Sequence, residues 1–244
     1  MAGNANALPG PLGVQTAPLV VDEGTLARTR SPLPTVLGTE APSAAQVVTI
    51  DADTKMLAAT AYGEGSSENV FEEMAAIANV LVRQQKARGY ASVSAFIRAD
   101  KTFAFAAHDG NERYAKLMAA KPADIEKDAG MGAALKGACN ALAASPIDYS
   151  NGAYFWDGAD VKSNYANHAK VLGGVHITDQ AHNIYGIEDK EVPGENWLLD
   201  ANGKKTRLRG KWKYKYESTA GWGGTIFWKY DAAFVKASGN KEHK

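Results

Sequence analysis

Two stretches of helical patterning meet at Ala61-Tyr62-Gly63-Glu64-Gly65-Ser66-Ser67-Glu68, and this junction constrains the fold more than any other part of the chain. Upstream, Asp51 or Asp53 can cap a helix that runs through Met56, Leu57 and Ala61 towards Glu64. Gly63 and Gly65 then break it. Downstream, Asn69 followed three positions later by Glu72 has the spacing of a capping box. Val70, Met74, Ile77, Ala78, Leu81 and Val82 recur at steps of three and four, which predicts an amphipathic helix of about five turns ending near Gly89. Glu72, Glu73, Arg83 and Lys86 read as its solvated face.

The remaining chain continues in short elements. Residues 92–98 predict a short helix, and another starts after Gly110 with Tyr114, Leu117 and Met118 on one face. Residues 124–144 predict a further Ala- and Gly-rich helix, stopped by Pro146. Cys139, the only cysteine, falls in it and reads as a small buried hydrophobe; no intrachain disulfide is possible. After the turn sequence Asp148-Tyr149-Ser150-Asn151-Gly152, the run Ala153-Tyr154-Phe155-Trp156-Asp157-Gly158 predicts a short strand or extended loop. Residues 171–187 predict two short extended segments. Lys211-Trp212-Lys213-Tyr214-Lys215-Tyr216 alternates strictly and predicts a half-buried strand. It would pair with Thr225-Ile226-Phe227-Trp228-Lys229-Tyr230 across Gly221-Trp222-Gly223-Gly224. The aromatic face of that hairpin either packs onto the helical body or stacks on sugars.

Helices followed by short strands, without βαβ alternation, predict an α+β fold that is predominantly α. Three regions are expected. Residues 1–47, rich in Ala, Pro, Gly, Thr and Ser, read as a flexible N-terminal arm; residues 48–190 as the main domain; and residues 191–244 as a β-hairpin extension packed on it. Lys plus Arg and Asp plus Glu are both 27, and this balance argues against nucleic acid as a partner. No apolar run reaches the roughly 18 residues of a membrane span, so no membrane partner is expected. The first residues, MAGNANALPGPLG, do not read as a signal peptide.

Three constellations compete for the chemistry. Glu64 sits beside Tyr62, between glycines that open space for a ligand. A carboxylic acid held among apolar groups has a raised pKa and can protonate a leaving oxygen. His108, His168, His176 and His182, with Asp109 and Asp179, offer zinc-type ligands, although no spacing among them forms a short metal motif. Cys139, Ser66 or Ser67 could act as a nucleophile with a distant histidine, but none lies in a strand-turn-helix elbow.

Residues 56–83, MLAATAYGEGSSENVFEEMAAIANVLVR, resemble the opening of the SleB-like cell-wall hydrolase family, which comprises spore cortex-lytic enzymes and relatives. In that family a helix ends in a Tyr/Asn-Gly/Ala-Glu-Ala/Gly segment. A second acid follows four residues on, and then a helix of the form Ala-Val-Ala-x-Val-x-x-Asn-Arg. Glu64 falls on the catalytic glutamate and Glu68 on the second acid. Val82 stands where the family has Asn. Thr102-Phe103-Ala104-Phe105 resembles the family's Gln-Phe-Ser segment without its Gln. Gly152-Ala153-Tyr154-Phe155-Trp156 resembles its Gly-Ala-x-x-Phe segment, and His182-Asn183-Ile184-Tyr185 its closing His-x-Phe-Tyr. The likeness covers residues 54–187.

The resemblance implies that residues 48–190 are a lysozyme-like helical catalytic domain that cleaves peptidoglycan glycan strands as a lytic transglycosylase or muramidase, without a cofactor or metal. Glu64 would be the acid-base group, and Glu68 would orient it or cap the next helix. Tyr62, Phe103, Tyr154, Trp156, His182 and Tyr185 would bind the substrate. Asp157 and Asp109 are candidates for a second acid. Such an enzyme acts in the periplasm or cell wall of a target cell. Reaching it without a signal peptide suggests an injected antibacterial toxin, with a cognate immunity protein as partner, or a phage-encoded lysin. Two rival expectations are a non-catalytic peptidoglycan-binding module and a zinc-dependent amidase or peptidase.

Overall fold

The computed structural model describes residues 49–101 and 103–244; the arm expected at residues 1–47 lies outside them. Helix α1, Ala52–Glu64, starts where the sequence places it. Asp51 caps it, accepting from the Thr54 N–H at 2.9 Å and from the Thr54 hydroxyl at 2.5 Å. Its residues from Met56 to Tyr62 are all buried. A helix apolar on every side belongs in the middle of a bundle, and α1 packs against helices on several sides.

Helix α2, Phe71–Arg88, has the expected amphipathic core face, with Met74, Ile77 and Leu81 fully buried. Its start differs from the expected capping box. Val70 occupies the cap position without a side-chain bond, and Asn69 stands at φ +56°. Asn tolerates this left-handed turn, and its Oδ1 instead accepts from Arg113 at 2.9 Å. At the other end Gly89, at φ +76°, closes the helix in the left-handed cap that glycine favours.

Helix α3, Val93–Ala99, is capped by Ser92, and α4, Glu112–Ala119, by Asn111. A 3₁₀ turn, Phe105–Ala107, lies between them. The single helix expected over 124–144 is two. α5, Pro122–Lys127, ends at Asp128, whose side chain accepts from the Met131 N–H at 2.9 Å and caps α6, Ala129–Leu142. Cys139 is exposed on α6 rather than buried, because the helix turns Ala134, Ala138 and Ala141 inward. Gly137 also faces inward, so closely that a Cβ there would stand 3.0 Å from the Ala75 Cα of α2.

The later elements are β1 (Phe155–Asp157), α7 (Asp160–Ser163), α8 (Ala169–Gly173), β2 (Val175–His176), β3 (Gly194–Leu199), β4 (Lys205–Trp212), β5 (Tyr216–Trp222), β6 (Thr225–Tyr230) and α9 (Ala232–Ser238). Four strands form one sheet in the order β1-β6-β5-β2, while β3 and β4 pair separately. The strand expected over 211–216 is therefore split between two sheets. Lys211 and Trp212 end β4 and Tyr216 begins β5, because the N–H groups of Lys215 and Tyr216 both turn to the Gly174 carbonyl at 3.0 Å. The hairpin runs from β5 to β6 through Gly223 and Gly224. Residues 171–187 contribute α8, the two-residue β2 and a 3₁₀ turn, Gln180–His182. The architecture is mixed, with helices dominant and small sheets, as an α+β chain requires.

Strands β5 and β6 come from the region expected to be an extension, yet they form the middle of the four-stranded sheet. Side chains on a strand alternate between faces. Phe227 joins the helical core around Leu57, Met74 and Leu81, while Ile226 and Trp228 join a second cluster with Val161, Val171 and Val175. One strand thus belongs to both cores.

A polar contact reinforces this junction. Glu73, expected on a solvated face, is 0% exposed. Its Oε1 accepts from the Gly224 N–H at 3.1 Å and the Thr225 hydroxyl at 2.7 Å; its Oε2 accepts from the Ser66 hydroxyl at 2.6 Å. Arg83, also expected to be solvated, bonds Asp148 at 2.5 Å, the Ser150 hydroxyl at 2.9 Å and the Ala153 carbonyl. A charged group leaves water only when its hydrogen bonds are replaced. Glu73→Ala should therefore destabilise the protein by about 3 kcal/mol or more in urea unfolding, since it orphans two hydroxyls and an amide. A loss below about 1 kcal/mol would show that the contact is not structural.

Candidate active site

Glu64 is the last residue of α1. It opens into a cleft of about 410 Å³ lined by Phe103, Phe105, Phe155, Trp156, Asp157, Asp160 and Lys170. A larger hollow of about 850 Å³ lies against α5 and α6. The smaller one is the better candidate because it holds a partly buried carboxylate among aromatic rings.

The two glycines beside Glu64 serve packing rather than ligand space. A Cβ on Gly63 would stand 2.7 Å from the Ala106 Cβ, and one on Gly65 3.0 Å from the Ala61 carbonyl. The close approach at Gly63 brings in the 3₁₀ turn, and the Ala106 N–H donates to Glu64 Oε1 at 2.7 Å. Burial holds the Glu64 carboxyl above its ordinary pKa, and the Asp109 carboxylate adds a smaller push the same way; the Ala106 amide and the Trp156 side chain pull against them. The negative end of the α1 dipole also disfavours the anion.

The cleft walls come from distant parts of the chain. Phe103 meets Trp156 edge to face, with ring centroids 5.1 Å apart, and Phe105 is 59% exposed. Strand β1 supplies Phe155, Trp156 and Asp157. Asp157 Oδ1 accepts from Lys170 Nζ at 2.7 Å, so the Asp157 charge is neutralised within the cleft. Asp160 is exposed at the start of α7.

Of the residues singled out from sequence, Glu64, Phe103, Trp156 and Asp157 line this cleft. Glu68 is exposed in the turn after α1, because the helix has already ended. Tyr62 is buried in the helical core, with the Arg113 guanidinium 4.1 Å above its ring. Tyr154 lines a different hollow with Asn79 and Arg83. The Tyr185 hydroxyl donates to the Gly224 carbonyl at 2.5 Å, which ties it to the β5–β6 turn. His182 Nδ1 lies 3.0 Å from the Ser218 hydroxyl, and burial lowers its pKa.

The four histidines of the zinc constellation are dispersed. His108 bonds the Ile97 carbonyl at 2.7 Å, His176 pairs with Asp189 at 2.6 Å, and Asp179 caps the 3₁₀ turn at Gln180–His182. Asp109 is exposed and accepts from the Asn111 N–H. His168 stands beside Asp157 and Asp160. Phe105, Phe155, Asp160, Lys170 and the Ala106 amide were not singled out as site groups from sequence. Phe105 and Phe155 lie inside the quoted motifs and could have been found; Asp160 and Lys170 carry no local signal. No family model, curated protein or solved structure matches the chain.

A carboxyl whose folded pKa is raised binds its proton more tightly in the folded state, so its ionisation costs stability as pH rises through that pKa. Glu64→Gln should therefore be more stable than the parent at pH 7, and the difference should shrink towards pH 4. Thermal melts of both proteins across this range check it. An advantage unchanged with pH would show that Glu64 is not the titrating group.

Proposed function

We propose that the protein cleaves peptidoglycan glycan strands, with Glu64 as a single general acid and base. The observation that carries this reading is the Glu64 carboxyl, held towards its protonated form at the mouth of an aromatic-walled cleft. The family resemblance around Glu64 supplies the substrate class, and a lysozyme-like arrangement of the helices is part of the proposal.

In this mechanism a sugar ring stacks on Trp156 or Phe105, since aromatic faces bind the apolar faces of sugars. Protonated Glu64 donates its proton to the glycosidic oxygen after N-acetylmuramic acid, and the C1–O bond breaks to leave oxocarbenium character at C1. The Glu64 carboxylate then takes a proton from the oxygen that attacks C1. If that oxygen is the sugar's own 6-hydroxyl, a 1,6-anhydro ring forms; if it is water, a reducing end forms. The Ala106 amide, fixed on Oε1, keeps the carboxyl oriented in both steps. Lys170 occupies Asp157, and this favours the route that needs no second carboxylate.

The substrate places the activity in the bacterial wall compartment. Delivery as an antibacterial toxin, restrained in the producing cell by an immunity protein that covers the cleft, belongs to the same proposal. Periplasmic expression should then be toxic and cytoplasmic expression tolerated.

The decisive measurement is release of soluble fragments from purified peptidoglycan. Glu64→Gln should lower the rate by at least about 100-fold, the range associated with loss of a positioned acid-base group. Phe105→Ala, an exposed position, should weaken substrate binding while the melting temperature holds. Mass spectrometry of fragment ends separates anhydro from reducing products. Undiminished release by Glu64→Gln would overturn the mechanism. Retention on peptidoglycan without release would favour a binding module.

A further inference from the structure

We propose that Asp157, Asp160 and His168 form a site for one divalent transition-metal ion of the zinc class, at the rim of the Glu64 cleft. Each offers a ligand atom, and these atoms lie within 4.8 Å of one another. His168 Nε2 stands 3.3 Å from Asp160 Oδ2 and 3.5 Å from Asp157 Oδ1. These separations are long for charge-assisted hydrogen bonds, which run at about 2.7–2.9 Å. The His168–Asp160 separation matches the edge of a ligand tetrahedron, about 3.3–3.6 Å for metal bonds of about 2.0–2.2 Å, and Asp157 would enter through Oδ2, since Lys170 holds its Oδ1.

A second observation points to a missing cation. Asp157 Oδ2, on a side chain only 11% exposed, is one of the four buried side-chain polar atoms that lack a hydrogen-bond partner among the described residues. Lys170 holds Asp157 Oδ1 at 2.7 Å and leaves the lone pairs of Oδ2 unused. An unpartnered carboxylate oxygen out of water is costly, and a metal ion removes that cost.

The donor set selects the ion. One imidazole with two carboxylates suits zinc, or manganese less well. Calcium prefers six to eight oxygens, and magnesium keeps most of its water. The rigid placement follows from the fold. Asp157 ends β1, Asp160 starts α7, and His168 occupies the cap position of α8. With both carboxylates committed to the ion, neither serves as a catalytic base, which agrees with a single-glutamate mechanism. The site itself does not depend on the glycan reading.

The test is calorimetric titration of the chelator-treated, dialysed full chain with zinc chloride, with manganese, calcium and magnesium chlorides in parallel. One equivalent of zinc should bind and raise the melting temperature. Asp160→Asn is a change at a side chain 64% exposed that should leave the fold intact. It and His168→Gln should each weaken zinc at least tenfold. His176→Gln, a control at a partly exposed histidine, should bind as the parent does. Glu64→Gln should also titrate normally, so failure of the glycan mechanism and failure of this site are separable. Absence of zinc binding, unchanged affinity in Asp160→Asn, loss in His176→Gln, or preference for calcium would each overturn the proposal.

Discussion

The buried carboxylate of Glu73 is the contact on which the rest of the arrangement depends. A charged oxygen pair with no exposure needs donors from its surroundings, and here they come from two separate parts of the chain. Ser66 lies in the loop directly after α1; Gly224 and Thr225 belong to the β5–β6 hairpin, about 150 residues later. The carboxylate therefore fixes the C-terminal end of α1 against the central sheet. Gly223 allows the approach, since a Cβ there would stand 2.5 Å from Glu73 Oε2. Tyr185 adds a bond to the same turn.

The position of Glu64 follows from that junction. It ends α1, two residues before Ser66, and one wall of its cleft is β1, which pairs with β6. The other wall is the 3₁₀ turn that Gly63 admits. The cleft is thus assembled between helices and sheet rather than within either. Glu64 has no cationic partner among the described residues and is held towards its neutral form, whereas Asp157 Oδ1 accepts from Lys170 Nζ.

Local physics made much of the fold legible. Asp51, Ser92 and Gly89 signal helix ends through short-range hydrogen bonds and backbone freedom, and the elements they bound lie where expected. The periodicity of α2 and the aromatic run at β1 likewise reflect contacts their own residues must make. Asn69 misled because capping-box spacing does not distinguish a cap from a left-handed turn residue. The alternation over 211–216 misled because a change of strand partner leaves no mark on a period of two.

The site divides along the same line. The sequence by itself determined that an acid would sit at a helix end beside a tight turn, with aromatic segments available elsewhere. These depend on residue type and short spacing. Only the tertiary structure decided which aromatics meet Glu64, that Glu73 is buried rather than solvated, and that Asp157, Asp160, His168 and Lys170 gather at one rim. Those outcomes rest on contacts between segments far apart in the chain. They are set by which donors reach a carboxylate once water has been excluded, and no local pattern encodes that.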